Sequence, residues 1–200
     1  MAQPDGLIGG DILSHYDVEL NFVARKLNLF SPDHCEGKVI YWPATAGAIV
    51  PFSMRRPSAG DTDIHVPITV DGKDLQAIID TGAPVTAMGA AVAEKVFGIT
   101  AASPGVERSS GDQEFGYVFH GLSFGGINVG NPRVTIIPDL MGATNHNAMV
   151  VGGGITAREA ESRLIIGMDV LTKLHLYIAY GEKKLYITPP DQPVAAEAEH

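Results

Sequence analysis

The residues whose types suggest chemistry lie at the end of an apolar stretch, where Ile78-Ile79 is followed directly by Asp80-Thr81-Gly82. Two carboxylates about 3 Å apart share one proton, and the ionised partner then serves as a base toward water. Asp80 could supply one such group. Gly82 lacks a Cβ and so permits the close approach of a second loop. The alternative interpretation of Asp80 is a turn aspartate whose side chain accepts a hydrogen bond from its own backbone.

Two predicted strands position Asp80. Ile64–Val70 alternates apolar and polar residues and ends at Asp71-Gly72, which is typical of a tight hairpin turn. Leu75–Ile79 follows and carries Asp80 at its end. The alanine-rich stretch Met88–Phe97 predicts a helix that stops at Gly98. Gly and Pro divide the rest into strands at Tyr117–Phe124, Ile127–Val129 and Arg133–Ile137 and loops at Ser103–Gly116 and Met141–Gly154.

The sequence contains an internal repeat. Leu7–Pro32 aligns without a gap to Ile165–Pro190 at an offset of 158 residues (167 − 9 = 158). Seven positions are identical in the two copies: Ile8/Ile166, Gly9/Gly167, Asp11/Asp169, Leu13/Leu171, Lys26/Lys184, Leu27/Leu185 and Pro32/Pro190. Each copy predicts an apolar pair, a glycine, a short helical turn and then two strands around a turn.

The repeat leads to a predicted domain organisation. Residues 1–35 would be the C-terminal part of an upstream domain, 36–62 a linker, 63–190 a complete domain of the same kind and 191–200 a disordered tail. The linker has apolar patches at Val39–Trp42 and Ile49–Phe52, which predict that it packs against other parts of the protein. The hairpin of the first copy could pair with an exposed strand edge of the complete domain.

From about Asp63 to Pro190 the sequence resembles the retropepsin-like aspartic proteases. The resemblance rests on Ile78–Ala83, on Thr86, and on Ile165–Gly167 with Asp169 after it. The helix and the final strands are similar to the bacterial, exported branch of the family, in which two such domains can occur in tandem. Two residues depart from the family pattern: Pro84 stands where Ser or Asp is common, and Met168 stands where retroviral members usually have Arg.

The resemblance implies an all-β fold, a closed retropepsin-like barrel with one or two short helices, here with an N-terminal helix–hairpin extension. It also implies an endopeptidase that hydrolyses polypeptide by water attack, with Asp80 as the catalytic residue and no cofactor or metal. The residues expected to support the active-site loop are Thr81, Gly82, Ala83, Thr86, Ile166 and Gly167. Ser103–Gly116 is the predicted flap, and Asp169 is expected to tie down the short helix after Gly167.

The sequence holds only one Asp-Thr-Gly, so a second aspartate must come from elsewhere. An identical chain could supply it in a two-fold homodimer, or an upstream domain could supply it in a longer chain. The competing hypothesis is a catalytically inactive, protease-like module that binds peptides or dimerises.

Composition excludes several classes of function. The chain of 200 residues has a net charge of −9, which argues against nucleic-acid and anionic-lipid partners. No apolar run is long enough to span a membrane, and no signal peptide is evident, although the family branch suggests a periplasmic or exported protein. Cys35 is the only cysteine and cannot form an internal disulfide, and the seven histidines are too scattered to predict a metal site.

Overall fold

The computed structural model describes residues 6–42, 47–54, 62–108, 114–138, 140 and 164–189. These ranges contain 14 strands and three short helices, which confirms the predicted all-β fold. The strands are β1 (Asp17–Asn21), β2 (Lys26–Phe30), β3 (Ala48–Pro51), β4 (Ile64–Val70), β5 (Lys73–Ile79), β6 (Ala87–Gly89), β7 (Glu107–Arg108), β8 (Phe115–Val118), β9 (Gly121–Phe124), β10 (Ile127–Gly130), β11 (Arg133–Ile137), β12 (Leu164–Ile166), β13 (His175–Ala179) and β14 (Lys184–Thr188). The helices are α1 (Gly10–Leu13), α2 (Ala90–Phe97) and α3 (Met168–Leu171). None of the described helices could cross a membrane.

The chain divides into two compact units. The first unit comprises Met1–Thr62 and Thr172–His200, and the second unit comprises Asp63–Leu171. The domain boundaries expected from the sequence, after residues 35, 62 and 190, stay predictions. The tail predicted at 191–200 and the loop predicted at Met141–Gly154 lie outside the described residues.

The second unit is built on a nine-stranded sheet in the order β10-β9-β4-β5-β12-β6-β11-β8-β7. β4 and β5 form the predicted hairpin, and both turn residues adopt positive φ, 44° at Asp71 and 75° at Gly72. β5 then pairs in parallel with β12, which places Ile78 opposite Ile165 and Ile79 opposite Ile166. The site loop after Ile79 is therefore anchored to a strand far away in sequence.

Several predicted elements of the second unit have different bounds. β5 begins at Lys73 instead of Leu75, and β10 ends at Gly130 instead of Val129. The predicted helix Met88–Phe97 begins only at Ala90, because Met88 belongs to β6 and pairs with both β11 and β12. Its end is as predicted, with Gly98 in the left-handed region at φ 71°. The predicted strand Tyr117–Phe124 is two strands, because the chain leaves β11 after β8 and continues as β9 beside β4 and β10.

The first unit is built on a five-stranded sheet in the order β2-β1-β13-β14-β3. The hairpins of the two repeat copies lie side by side in it, with β1 antiparallel to β13. Val39 and Trp42, from the predicted linker, pack in a core cluster with Tyr177 and Tyr186. β3, also from that segment, pairs with β14.

Candidate active site

Asp80 lies at the end of β5 on a turn with tightly defined hydrogen bonds. Its N–H donates to the carbonyl of Ile166 at 3.1 Å, so the turn begins where β12 supports it. Its Oδ1 accepts a hydrogen bond of 2.7 Å from the N–H of Gly82. This is the contact expected of a turn aspartate, and it also fixes the direction of the carboxylate. Asp80 is half-buried, whereas Thr81 and Gly82 are exposed, so the carboxylate is held at an accessible edge.

Gly167 allows the chain after β12 to pass directly beneath this turn. A Cβ on Gly167 would lie 2.5 Å from the carbonyl carbon and oxygen of Val85 and 2.9 Å from the carbonyl oxygen of Ala83. Such distances are far inside van der Waals contact, so no other residue fits without moving the backbone. The next residue, Met168, donates its N–H to the same Ala83 carbonyl at 2.9 Å.

Thr86 and Asp169 connect the two loops. Thr86 is fully buried, and both its N–H and its Oγ1 donate to Asp169 Oδ1 at 2.8 Å. The Oγ1 in turn accepts a hydrogen bond of 3.2 Å from the N–H of Gly167. Asp169 also accepts from the N–H of Val170, within α3, as its predicted role required. The sequence did not predict its second role, because Thr86 lies 83 residues away.

Apolar side chains support the turn from below. Ile78, Ala87, Leu140 and Ile165 form a buried cluster, and the half-buried Ala83 packs against it. Ile166, beside them on β12, has no exposed surface. Six of the seven residues predicted from the sequence therefore lie together, in the Asp80 turn or in hydrogen-bonded contact with the loops that support it. These six are Asp80, Gly82, Ala83, Thr86, Ile166 and Gly167. Thr81 extends from the same turn into solvent.

The predicted flap region is described only in part. Glu107 and Arg108 form β7, which pairs with β8, while residues 109–113 lie outside the described ranges. Glu107 pairs with Arg133 at 2.8 Å on the surface. About half of each side chain remains exposed, so this ion pair contributes little to stability.

The first unit holds a buried carboxylate that the sequence did not single out. Glu19 is 4% exposed, and its Oε1 lies 2.7 Å from His175 Nε2. Its Oε2 accepts hydrogen bonds from Asn28 and Tyr41. Burial raises the pKa of Glu19, but the hydrogen bonds from Asn28, Tyr41 and His175 outweigh burial and hold that pKa below its usual value. Trp42 stacks on the His175 ring with the ring centroids 4.0 Å apart.

Two acidic residues of the first unit, Asp17 and Glu182, are bridged by a histidine. His34 Nδ1 lies 2.8 Å from Asp17 Oδ2, and His34 Nε2 lies 2.7 Å from Glu182 Oε1. Burial raises the pKa of Asp17, and His34 opposes that rise only in part. Burial also acts to raise the pKa of Glu182, but hydrogen bonds from Tyr186, His34 and Lys184 outweigh it and lower this pKa to about 2. His34 thus connects the first residue of β1 to the turn before β14.

The described residues provide one carboxylate at the candidate site and no metal-binding cluster. No group of three or more His, Cys, Asp or Glu side chains in the described ranges has the geometry to hold a metal ion. Asp169 is occupied by its bonds to Thr86 and Val170. Taken alone, the turn presents one carboxylate, that of Asp80.

Comparisons with known proteins agree with the resemblance drawn from the sequence. A family model described as aspartyl protease matches residues 66–170, more than half of the chain. Among solved structures, a retropepsin-like aspartic protease from Rickettsia conorii matches with a TM-score of 0.46 and 16% identity, over 75% of this chain and 96% of that one. The retroviral protease-like domain of Ddi1 from Leishmania major matches with a TM-score of 0.30 and 21% identity, over 54% and 73%. Basic 7S globulin from soybean matches with a TM-score of 0.42 and 10% identity, over 86% and 50%. No curated protein matches significantly.

Proposed function

This chain belongs to the aspartyl protease family, and on that premise we propose that it supplies one half of the catalytic pair of an aspartic endopeptidase. Asp80 is the catalytic residue in this proposal. The observation that carries it is the support of the Asp80 turn by Ile166, Gly167 and the Thr86–Asp169 bonds. A reacting carboxylate must be held rigidly at a defined depth, and this turn is held by backbone contacts that cannot rotate away.

The proposed reaction is hydrolysis of a peptide bond by an activated water. Asp80 and a second aspartate share one proton. The ionised carboxylate takes a proton from water as the water attacks the peptide carbonyl, and the protonated carboxyl polarises that carbonyl oxygen. The proton then passes to the leaving nitrogen. In the described part of the chain Asp80 Oδ2 has no hydrogen-bond partner, which leaves it available to water.

Three further roles belong to this proposal. Thr81, exposed beside Asp80, is placed to bond to the facing loop of the second half-site. The segment Ser103–Gly116, which contains β7, is the proposed flap over a bound polypeptide. The second aspartate comes from an identical chain or from another segment with the same motif. The alternative is an inactive module that binds peptides or dimerises, and the single Asp-Thr-Gly of this chain is the observation that favours it.

The test is cleavage of a peptide library from acid to neutral pH over a series of protein concentrations. Asp80→Asn removes the catalytic charge with almost no change in shape. Asp74→Asn is the matched control, because Asp74 is an exposed aspartate on the same strand. The proposal predicts that Asp80→Asn loses cleavage and Asp74→Asn retains it.

The concentration series separates the sources of the second aspartate. Specific activity that rises with concentration indicates that two chains build the site. Cleavage by Asp80→Asn at the parental rate would show that Asp80 is not catalytic. Absence of cleavage at every concentration would favour the inactive module, or a half-site that needs another segment.

A further inference from the structure

The two repeat copies adopt the same backbone structure. α1, β1 and β2 each begin and end 158 positions before α3, β13 and β14 (168 − 10 = 158). Ile12 and Leu13 donate their N–H groups to the carbonyl of Gly9, just as Val170 and Leu171 donate theirs to Gly167. The segments Leu7–Leu13 and Ile165–Leu171 are therefore equivalent positions of the repeat, and they differ in that Ile165 and Ile166 belong to β12 whereas Leu7 and Ile8 form no strand.

The two segments differ in how far they are covered, since in the first copy Thr62 lies against Gly10 but the apolar side chains are exposed. In the second copy Ile165 and Ile166 are 5% and 0% exposed and pair with Ile78 and Ile79 of β5, and Val170 is 3% exposed. Their counterparts Leu7, Ile8 and Ile12 are 90%, 61% and 52% exposed. Exposed apolar residues that form a contiguous group typically mark an interaction surface. The repeat also identifies what kind of segment fits this surface, because the second copy is occupied.

The polar groups of the first copy point to the same occupant. In the second copy the Ile166 carbonyl accepts a hydrogen bond from the N–H of Asp80. The N–H of Gly167 donates to Thr86 Oγ1, and the Asp169 carboxylate accepts from the N–H of Thr86. Within the described ranges, the equivalent carbonyl of Ile8, N–H of Gly9 and carboxylate of Asp11 have no hydrogen-bond partner. Among the described residues, a Cβ on Gly9 would meet only the side chain of Asp11. No described residue fills, beside Gly9, the space that Val85 and Ala83 fill beside Gly167.

The sheet of the first unit supports the equivalence of the two copies. Glu19 pairs with Tyr177, which is its own repeat counterpart (177 − 19 = 158). The flanking pairs are Val18 with Ile178 and Leu20 with Leu176, so the register is unchanged when the two strands are exchanged. Such a self-complementary register has the form of a local two-fold axis between equal partners.

We propose that Leu7–Leu13 is the docking surface for a second strand–Asp-Thr-Gly segment. This inference rests on the proposed function, because the docked segment carries the second aspartate. The occupant is a polypeptide with an apolar strand, an Asp-Thr-Gly turn and a threonine six residues after the aspartate, as in Ile78–Thr86. It is not the Asp80 turn of another copy, since that turn is already bound to its own Gly167 and Asp169.

The experiment attaches such a segment to the full chain. Residues 73–88 of this sequence are fused to the N-terminus through a flexible glycine-serine linker, which gives an effective concentration of about 1 mM. Hydrogen–deuterium exchange is then measured for the amides of residues 8–14. Docking is expected to slow their exchange at least tenfold relative to the chain without the fusion.

Two controls make the result specific. Gly9→Ala in the fused chain is expected to restore fast exchange, because the new Cβ would occupy the space that the incoming Val85 and Ala83 counterparts need. A fused segment of scrambled sequence is expected to leave exchange fast. Unchanged exchange with the authentic segment, or equal slowing with the scrambled one, would overturn the proposal. Slowing that appears without a fusion and grows with protein concentration would also overturn it, because the occupant would then be a second copy.

This readout is independent of proteolysis. An Asp→Asn change at the Asp80 counterpart in the fused segment keeps the backbone N–H that docks on Ile8, so slow exchange should persist while cleavage is lost. Docking without cleavage would contradict the endopeptidase proposal alone. Cleavage that requires Asp80, together with fast exchange at residues 8–14, would contradict the docking proposal alone.

Discussion

The repeat provides a matched pair of glycines on which the close contact beneath the Asp80 turn can be tested. Gly167→Ala places a Cβ 2.5 Å from two backbone atoms of Val85 and 2.9 Å from a third, the carbonyl oxygen of Ala83. Gly9→Ala places a Cβ at the equivalent position of the first copy, where the one described neighbour that it meets is the Asp11 side chain, at 2.6 Å. That side chain can rotate away, whereas the backbone of Val85 cannot.

The contacts predict very different costs. Overpacking a rigid site costs about 1–3 kcal/mol, and three backbone contacts place Gly167→Ala at or above about 3 kcal/mol. Gly9→Ala has almost no clash, and the loss of chain freedom in the unfolded state stabilises it by about 0.4–1 kcal/mol. The two variants should therefore differ by about 3 kcal/mol or more in the free energy of unfolding. Gly167→Ala should also abolish cleavage, because it displaces the Asp80 turn.

The assay is urea unfolding followed by far-ultraviolet circular dichroism. Trp42 is the only tryptophan and lies in the first unit, so its fluorescence would not report directly on the second unit around Gly167. With a slope of about 1–3 kcal/mol per molar urea, the expected difference moves the midpoint by at least about 1 M. If the two variants unfold within about 0.5 kcal/mol of each other, the close approach at Gly167 is not the constraint described above.

Three further predictions concern the loop bonds and the buried ionisable groups. Thr86→Val should lower the free energy of unfolding in urea by about 1–3 kcal/mol, because the buried Gly167 N–H and Asp169 lose their hydroxyl partner. The control Thr100→Val, at an exposed position, should change the free energy of unfolding by less than about 0.5 kcal/mol. Hydrogen bonds lower the pKa of Glu182 from the usual 4.5 to about 2 in the folded protein. The ionised carboxylate therefore stabilises the folded protein by about 3 kcal/mol above pH 4.5, and this stabilisation is lost as pH falls toward 2. Unfolding measured from pH 7 to pH 3 should show this loss for the parent and a smaller one for Glu182→Gln; equal slopes would contradict it. Burial raises the pKa of Tyr180 to about 12, and burial with the bond to Glu182 raises the pKa of Tyr186 to about 12. The stabilisation from these neutral hydroxyls is therefore present below pH 10 and lost as pH rises to 12. The tyrosinate absorbance should show both side chains ionising well above pH 10, and ionisation near pH 10 would refute this.

Much of the site could be predicted from local sequence. The alternation in Ile64–Val70 and the Asp71-Gly72 turn predicted β4 with the correct bounds and its hairpin with β5, since both signals act over a few residues. The position of Asp80 at the end of the next strand follows from the same pattern. Helix α2 shows the limit of such signals. Met88 suits a helix, but its pairing with β11 and β12, strands distant in sequence, places it in β6.

The bonds that hold the site rigid required the tertiary structure. Nothing near Thr86 in the sequence indicates that Asp169 binds it, and nothing near Glu19 indicates that His175, 156 residues away, makes a buried partner for its carboxylate. Charged residues in a strand normally predict a solvent-exposed face. Only the fold shows which of them are buried, because burial depends on segments that the local pattern does not include.

The repeat separates the two contributions most clearly. The sequence alone determined that Leu7–Leu13 and Ile165–Leu171 adopt the same turn, because a glycine followed by a short helical stretch sets the backbone locally. The tertiary structure alone decided that Ile166 has no exposed surface while Ile8 is largely in solvent. The physical reason is that backbone conformation comes from neighbours in the chain, whereas burial comes from partners brought together by the fold.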